Sequence, residues 1–126
     1  MTPKLQSKLL RIAFDLRNCC EAENRHISFL LDKNRIVSVG FNSNYKYSKI
    51  TRGMGYWTSS RHSEIDSYIK LKNKNLMPYL SLINIRLSKT GAIGMACPCS
   101  KCLNFLSIVA PRRILYTTAD GSFARY

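Results

Sequence analysis

His62-Ser63-Glu64 and Pro98-Cys99-Ser100-Lys101-Cys102 are the two stretches on which the reading of this chain turns. Together they supply one imidazole and two thiolates, three ligands that would hold Zn²⁺ and leave its fourth position open. An open position separates a catalytic zinc from a structural one. Glu64 lies two residues past the histidine and has no place in that ligand set. Cysteines three apart lie on one helix face, close enough to share a metal. With His62 near the start of one helix and the cysteines in the first turn of another, every ligand sits at a positive helix end, which favours thiolate over thiol. Zinc held this way lowers the pKa of a bound water from about 15.7 toward about 7.

Each half is weak alone. An isolated C-x-x-C could be a redox pair or half of a structural zinc site, and an isolated H-x-E is close to noise. Their order, the proline before the first cysteine and the helix-start positions carry the reading. The competing reading adds Cys97 to close a Cys₃His site, although a two-residue spacing across Pro98 makes it awkward for Cys97 and Cys99 to reach one ion.

Outward from the motifs, the pattern is α/β. Leu5, Leu9, Ile12, Ala13 and Leu16 follow helical spacing, so a first helix is expected from Thr2 to about Cys20, capped by Thr2 with Pro3 in its first turn. Ile27 to Leu31 and Arg35 to Phe41, separated by Asp32-Lys33-Asn34, read as a hairpin. Residues 42–60 read as a long polar, aromatic, glycine-bearing loop. A second helix is expected from Arg61 or His62 to about Lys74, a buried strand from Tyr79 to Leu87, and a loop at Thr90 to Gly94. A third helix is expected from about Cys99 to Ala110, stopped by Pro111. Ile114 to Thr118 reads as a strand, with a tight turn at Ala119-Asp120-Gly121-Ser122 into a last strand at Phe123 to Tyr126. The order implies a mixed sheet of about five strands covered by helices, its last strand antiparallel.

The chain has 126 residues and 45% apolar content, the size and make-up of a single globular domain spanning 1–126. Its apolar runs fall far short of a membrane span, so no membrane partner is expected. The N-terminus runs into an amphipathic pattern without a signal-peptide core. Three of the five cysteines crowd into positions 97–102, which speaks for metal binding in a reducing compartment. The expected location is the cytoplasm of a cell or of an infected host cell.

The net charge is +13, and its placement matters more than its size. No acid lies between Asp32 and Glu64, nor between Asp66 and Asp120, while lysine and arginine recur through both intervals. Such flanks attract polyanions toward the motifs. Alternatively, the charge only keeps a small protein soluble.

H-x-E followed by P-C-x-x-C is the recognised signature of zinc-dependent nucleobase deaminases, and the chain resembles the cytidine deaminase-like superfamily. That resemblance implies its three-layer fold, a Zn²⁺ cofactor, His62, Cys99 and Cys102 as metal ligands, and Glu64 as the catalytic proton shuttle between water, ring nitrogen and departing amine. The short tail after Thr118 looks most like virus-encoded or microbial members and leaves no room for the extra helix of many polynucleotide deaminases. The adenosine-editing branch commonly has methionine inside its C-x-x-C, where this chain has Ser100-Lys101, so cytosine is preferred over adenine.

Gly40-Phe41-Asn42 is similar to a family segment whose asparagine contacts the substrate, which makes Asn42 a candidate binding residue; alternatively it only initiates a turn. Tyr45, Trp57 and Arg52 follow in the loop, aromatics among cations that suit an extruded base and its phosphates. Trp57 and some tyrosines could equally only cover the core. Lys101 either reaches a phosphate or is simply solvated. Cys19 and Cys20 read as small apolar helix residues, and His26 as a structural or surface histidine.

Three functions stay open. The first is deamination of cytosine to uracil in a single-stranded polynucleotide, DNA or RNA, favoured by the basic, aromatic flanks. The second is a deoxycytidylate or cytidine deaminase of pyrimidine salvage. The third is a zinc-stabilised nucleic-acid-binding module without turnover, against which Glu64 argues. Many small relatives assemble, so a homo-oligomer is among the partners the resemblance implies.

Overall fold

β3 (Ser81–Leu87) is the spine of the molecule, an almost entirely buried run flanked on one side by β1 (Arg25–Asp32) and on the other by β5 (Arg113–Thr117). The computed structural model describes residues 1–20, 23–43 and 61–126. β2 (Arg35–Phe41) pairs with the outer side of β1 and β6 (Phe123–Arg125) with that of β5, giving the order β2-β1-β3-β5-β6. β4 (Ile93–Gly94) is a two-residue strand paired with the end of β3. Among the described residues only β3 and β5 run parallel, joined by the crossover through a helix that parallel pairing requires.

The alternation of side chains along the strands sets the layers. Ile27, Phe29 and Leu31 of β1 point to the same side as Ile83, Ile85 and Leu87 of β3 and bury against Leu5, Leu9 and Ala13 of helix α1 (Pro3–Leu16). Leu30 and Leu82 point the other way. They pack with Ile65 of α2 (Ser63–Lys70) and with Cys102, Phe105 and Leu106 of α3 (Ser100–Val109). The result is the expected three-layer arrangement, helices on both faces of a mixed sheet. Thr2 caps α1 as expected, its Oγ1 accepting from the Leu5 amide at 3.2 Å.

Element ends differ from the sequence reading where tertiary contacts take over. α1 stops at Leu16 and a 3₁₀ turn covers Arg17–Cys19, so Cys20 lies beyond the helix, its buried thiol turned toward the His26 carbonyl at 3.5 Å. α2 ends at Lys70 instead of near Lys74, because Leu71 takes extended backbone and the Lys74 ammonium binds the Ile69 and Leu71 carbonyls at 3.1 and 2.9 Å. A 3₁₀ segment over Lys74–Tyr79 then holds Pro78, which delays β3 to Ser81 and leaves Tyr79 on the surface. The stretch read as a loop at 90–94 contributes β4. The C-terminal turn forms as read, with Gly121 at φ +87 and Asp120 Oδ1 accepting from the Ser122 amide at 3.0 Å, and β6 is antiparallel to β5. Bonds from the Ser122 hydroxyl, the Thr118 hydroxyl and the Ser122 amide hold the Asp120 carboxyl low, at about 2. Among the described residues no helix is long and apolar enough to cross a membrane.

α2 lies hard against β2 at Gly40. A Cβ there would stand 2.3 Å from both the Ser63 carbonyl oxygen and the Ser67 nitrogen, backbone atoms that cannot swing aside. Gly40→Ala should therefore push α2 off the sheet and destabilise the fold by about 3 kcal/mol, the upper part of the usual overpacking range. Urea denaturation followed by circular dichroism measures it, and an unchanged midpoint would refute the close approach.

Candidate metal centre

His62 is the N-cap of α2, in extended backbone at φ −79° and ψ 154°. Two devices fix it. Arg61 and Ser43 form an isolated antiparallel bridge, with N–H···O distances of 2.8 and 2.9 Å, which pins the segment entering the helix to the end of β2. Asp66 is buried in the first turn and accepts from the Phe41 amide at 2.8 Å. Its carboxylate also pairs with Lys70 Nζ at 2.7 Å and Arg61 Nη1 at 3.2 Å. Acids suit a helix N-terminus, and this one also ties helix to strand.

Cys99 is likewise an N-cap, of α3, and its Sγ accepts from the Cys102 amide at 3.5 Å. The two helix starts meet so that His62 Nδ1 lies 3.2 Å from Cys102 Sγ and 3.6 Å from Cys99 Sγ. All three donor atoms fall within 4.8 Å of one another. Cys102 is buried and Cys99 exposed, so the cluster opens to one side. Hydrogen bonds from Cys102 and His62 draw the Cys99 thiol down to about 3, while the bond to Cys99 and burial push the Cys102 thiol up. The bond to Cys99 also raises His62. The two sulfurs thus stand in opposite environments beside one imidazole. Thiolates with imidazole suit zinc better than the hard cations that take carboxylate and carbonyl oxygens. Cys97 lines the adjoining cavity but is not part of the cluster.

Glu64 is buried at 4% exposure in the first turn of α2. Its Oε1 lies 3.0 Å from Ser63 Oγ, which lies 2.7 Å from Ser28 Oγ on β1. Ser28 in turn meets Asn84 Oδ1 on β3, and Asn84 Nδ2 donates to the Ala96 carbonyl at 3.3 Å. Ser28 and Asn84 face each other in the β1–β3 register, on the same sheet face as Leu30 and Leu82.

A cavity of about 370 Å³ lies over these groups, with His62, Glu64, Cys97 and Cys99 in its wall. Asn42 lines it as well, yet both ends of its amide serve the chain: Oδ1 accepts from the His26 amide at 3.0 Å and Nδ2 donates to the Asn24 carbonyl at 2.6 Å. Tyr45, Arg52 and Trp57 lie outside the described residues. Lys101 stands exposed in the first turn of α3, outside the cavity wall.

His26, read from sequence as structural or superficial, turns out to line the cavity. Burial holds its imidazole below the ordinary value, so the ring is neutral near pH 7. Strand parity was the available signal, since residues 26, 28 and 30 of β1 share the face turned away from α1. It needed the knowledge that this face carries the motifs.

No family model matches the chain, and no curated protein matches it in sequence. Solved structures do. The cytidine deaminase from Mycobacterium leprae superposes with a TM-score of 0.59 at 14% identity, over 94% of this chain and 91% of that one. Two forms of Acinetobacter baumannii RibD superpose at 0.54 and 0.53 with 9% and 10% identity over 91% of this chain. The chain spans only 28% of RibD. These likenesses show the fold alone, which this chain shares with that cytidine deaminase and with part of RibD.

Asn42→Ala should cost about 2 kcal/mol of stability, since it strips a partner from both the His26 amide and the Asn24 carbonyl. A thermal melt that matches the parent would show that the side chain is spare for another task.

Proposed function

We propose that this chain is a zinc-dependent hydrolase that deaminates cytosine to uracil in single-stranded polynucleotides. One observation carries the reading: His62, Cys99 and Cys102 bring three donor atoms within 4.8 Å, and His62 and Cys99 share the wall of a cavity with the buried Glu64. The cavity falls in the range of about 300–1,000 Å³ typical of small-ligand sites. An extruded pyrimidine suits it, and a base must leave any stack before this chemistry can reach it.

When bound, zinc supplies Lewis-acid activation of water near neutral pH. Glu64 takes a proton from the attacking water and delivers it to N3 as oxygen adds at C4. It then passes a proton to the exocyclic amine, the C4–N bond breaks and ammonia leaves, so that cytosine and water become uracil and ammonia. The Ser63 hydroxyl donates to Glu64 Oε1 and orients the carboxyl for that traffic. His26, neutral and in the cavity wall, can offer the base a donor on one ring nitrogen or an acceptor on the other.

The polymer is favoured by the net charge of +13 and by the acid-free intervals on either side of the motifs. A second reading, turnover of free cytidine or deoxycytidylate, draws on the likeness to the Mycobacterium leprae cytidine deaminase along nearly the whole of both chains. A small phosphate needs only one or two cations, and the remaining charge would then serve solubility.

Protein loaded with one equivalent of zinc should convert cytosine in a DNA or RNA single strand faster than it converts the free nucleoside or nucleotide. Glu64→Ala should lose at least about a thousandfold in rate, within the usual reach of a general acid/base. Mass spectrometry of the uracil product reads both. Turnover of the monomers alone would select the second reading. Binding to a single strand should weaken with salt, with a log–log slope of about −0.7 per phosphate contacted; an affinity indifferent to salt would remove the polymer. His26→Ala should raise KM and spare zinc content.

A further inference from the structure

We infer that Ser63 is a positioning residue for Glu64, acting with Ser28 and Asn84 to fix the carboxyl relative to both halves of the metal site. The inference rests on the deaminase reading and goes beyond it. Ser28 and Asn84 on the sheet and Ser63 on α2 are all but fully buried, beside the apolar cluster that holds Leu30, Leu82, Ile65 and Phe105. For packing alone these positions could be apolar, because replacing both partners of a buried hydrogen bond by apolar groups of like shape is nearly neutral. A buried polar row stabilises only if each member is bonded, and then it specifies one arrangement.

Its ends explain what is being specified. One end is Glu64 Oε1. The other is the Ala96 carbonyl, directly before Cys97-Pro98-Cys99, the segment that delivers the thiolates. The row therefore runs from the carboxyl in α2 through β1 and β3 to the loop before α3. Ser63 is the member able to hold a direction, since its own backbone is wedged against Gly40. Glutamate has three rotatable bonds, and the Ser63 hydroxyl restrains rotation about the last of them, beside the contact between the carboxyl and the Cys102 thiol. Proton transfer tolerates only about 0.5 Å of such misplacement.

The test combines turnover with a stability cycle. Ser63→Ala should lower kcat on the best cytosine substrate by about tenfold to a hundredfold, the range a small misplacement costs, with KM and zinc content unchanged. Adding Ser28→Ala to Ser63→Ala should take off little more, because both break the same row. Without any substrate, Ser63→Ala should shift the urea midpoint of the metal-free protein differently when Glu64 is present and when it is already alanine. Equal shifts in the two backgrounds, or a Ser63→Ala enzyme with full kcat, would overturn the inference. Should Ser63→Ala fail to fold, Ser28→Ala alone carries the same expectations of lower kcat at constant KM. Wild-type protein inert on every cytosine substrate would overturn the deaminase reading and this one with it. That outcome is distinct from an active wild type matched by its serine variants.

Discussion

The contact between the first turn of α2 and the end of β2 is the constraint on which the rest of the site depends. Helix backbone reaches strand backbone at Gly40 with no room for a Cβ, and the buried Asp66 carboxylate locks the approach by binding the Phe41 amide on one side and Lys70 and Arg61 on the other. Asp66 is buried while its cations reach solvent, and its bond to the Phe41 amide ties the helix start to the strand more firmly than its eight-residue length would suggest. His62 and Glu64 inherit that fixity, one on each side of Ser63.

The second helix start is placed by a different force. α3 is anchored by Phe105 and Leu106 in the apolar cluster beneath the sheet, and Cys102 enters the same cluster. One thiol is thereby buried while the other, at the N-cap, stays exposed. Burial disfavours a second charge, and the helix end with its hydrogen bonds favours the first. A divalent cation held by both sulfurs and the imidazole would offset that conflict. The polar row from Glu64 to Ala96 then bridges the two helix starts across the sheet, so the carboxyl and the thiolates belong to one framework.

Much of this was legible in the sequence because it was local. Helical spacing from Leu5 to Leu16, the strand runs on either side of Asp32-Lys33-Asn34, the buried run ending at Leu87 and the Asp120-Gly121 turn each carry their own signal within a few residues. Element ends were less legible, since α2 stops where the Lys74 side chain folds back on its carbonyls and β3 starts only after the 3₁₀ segment holding Pro78. Asn42 was found from its neighbours, but that both ends of its amide serve Asn24 and His26 depends on chain brought in from elsewhere.

The sequence by itself determined the chemistry of the donors: a histidine, two cysteines three apart and a carboxylate two residues past the histidine, each at a helix start. Residue type and spacing along one chain are enough for that, because a helix turn is a local object. Only the tertiary structure decided that the two helix starts converge, that Cys97 stays outside the cluster, and that His26 and the Ser28–Ser63–Asn84 row surround the carboxyl. Those facts depend on strand register, and register is fixed by which faces can be buried against which helices, a property of the whole sheet and of no single segment.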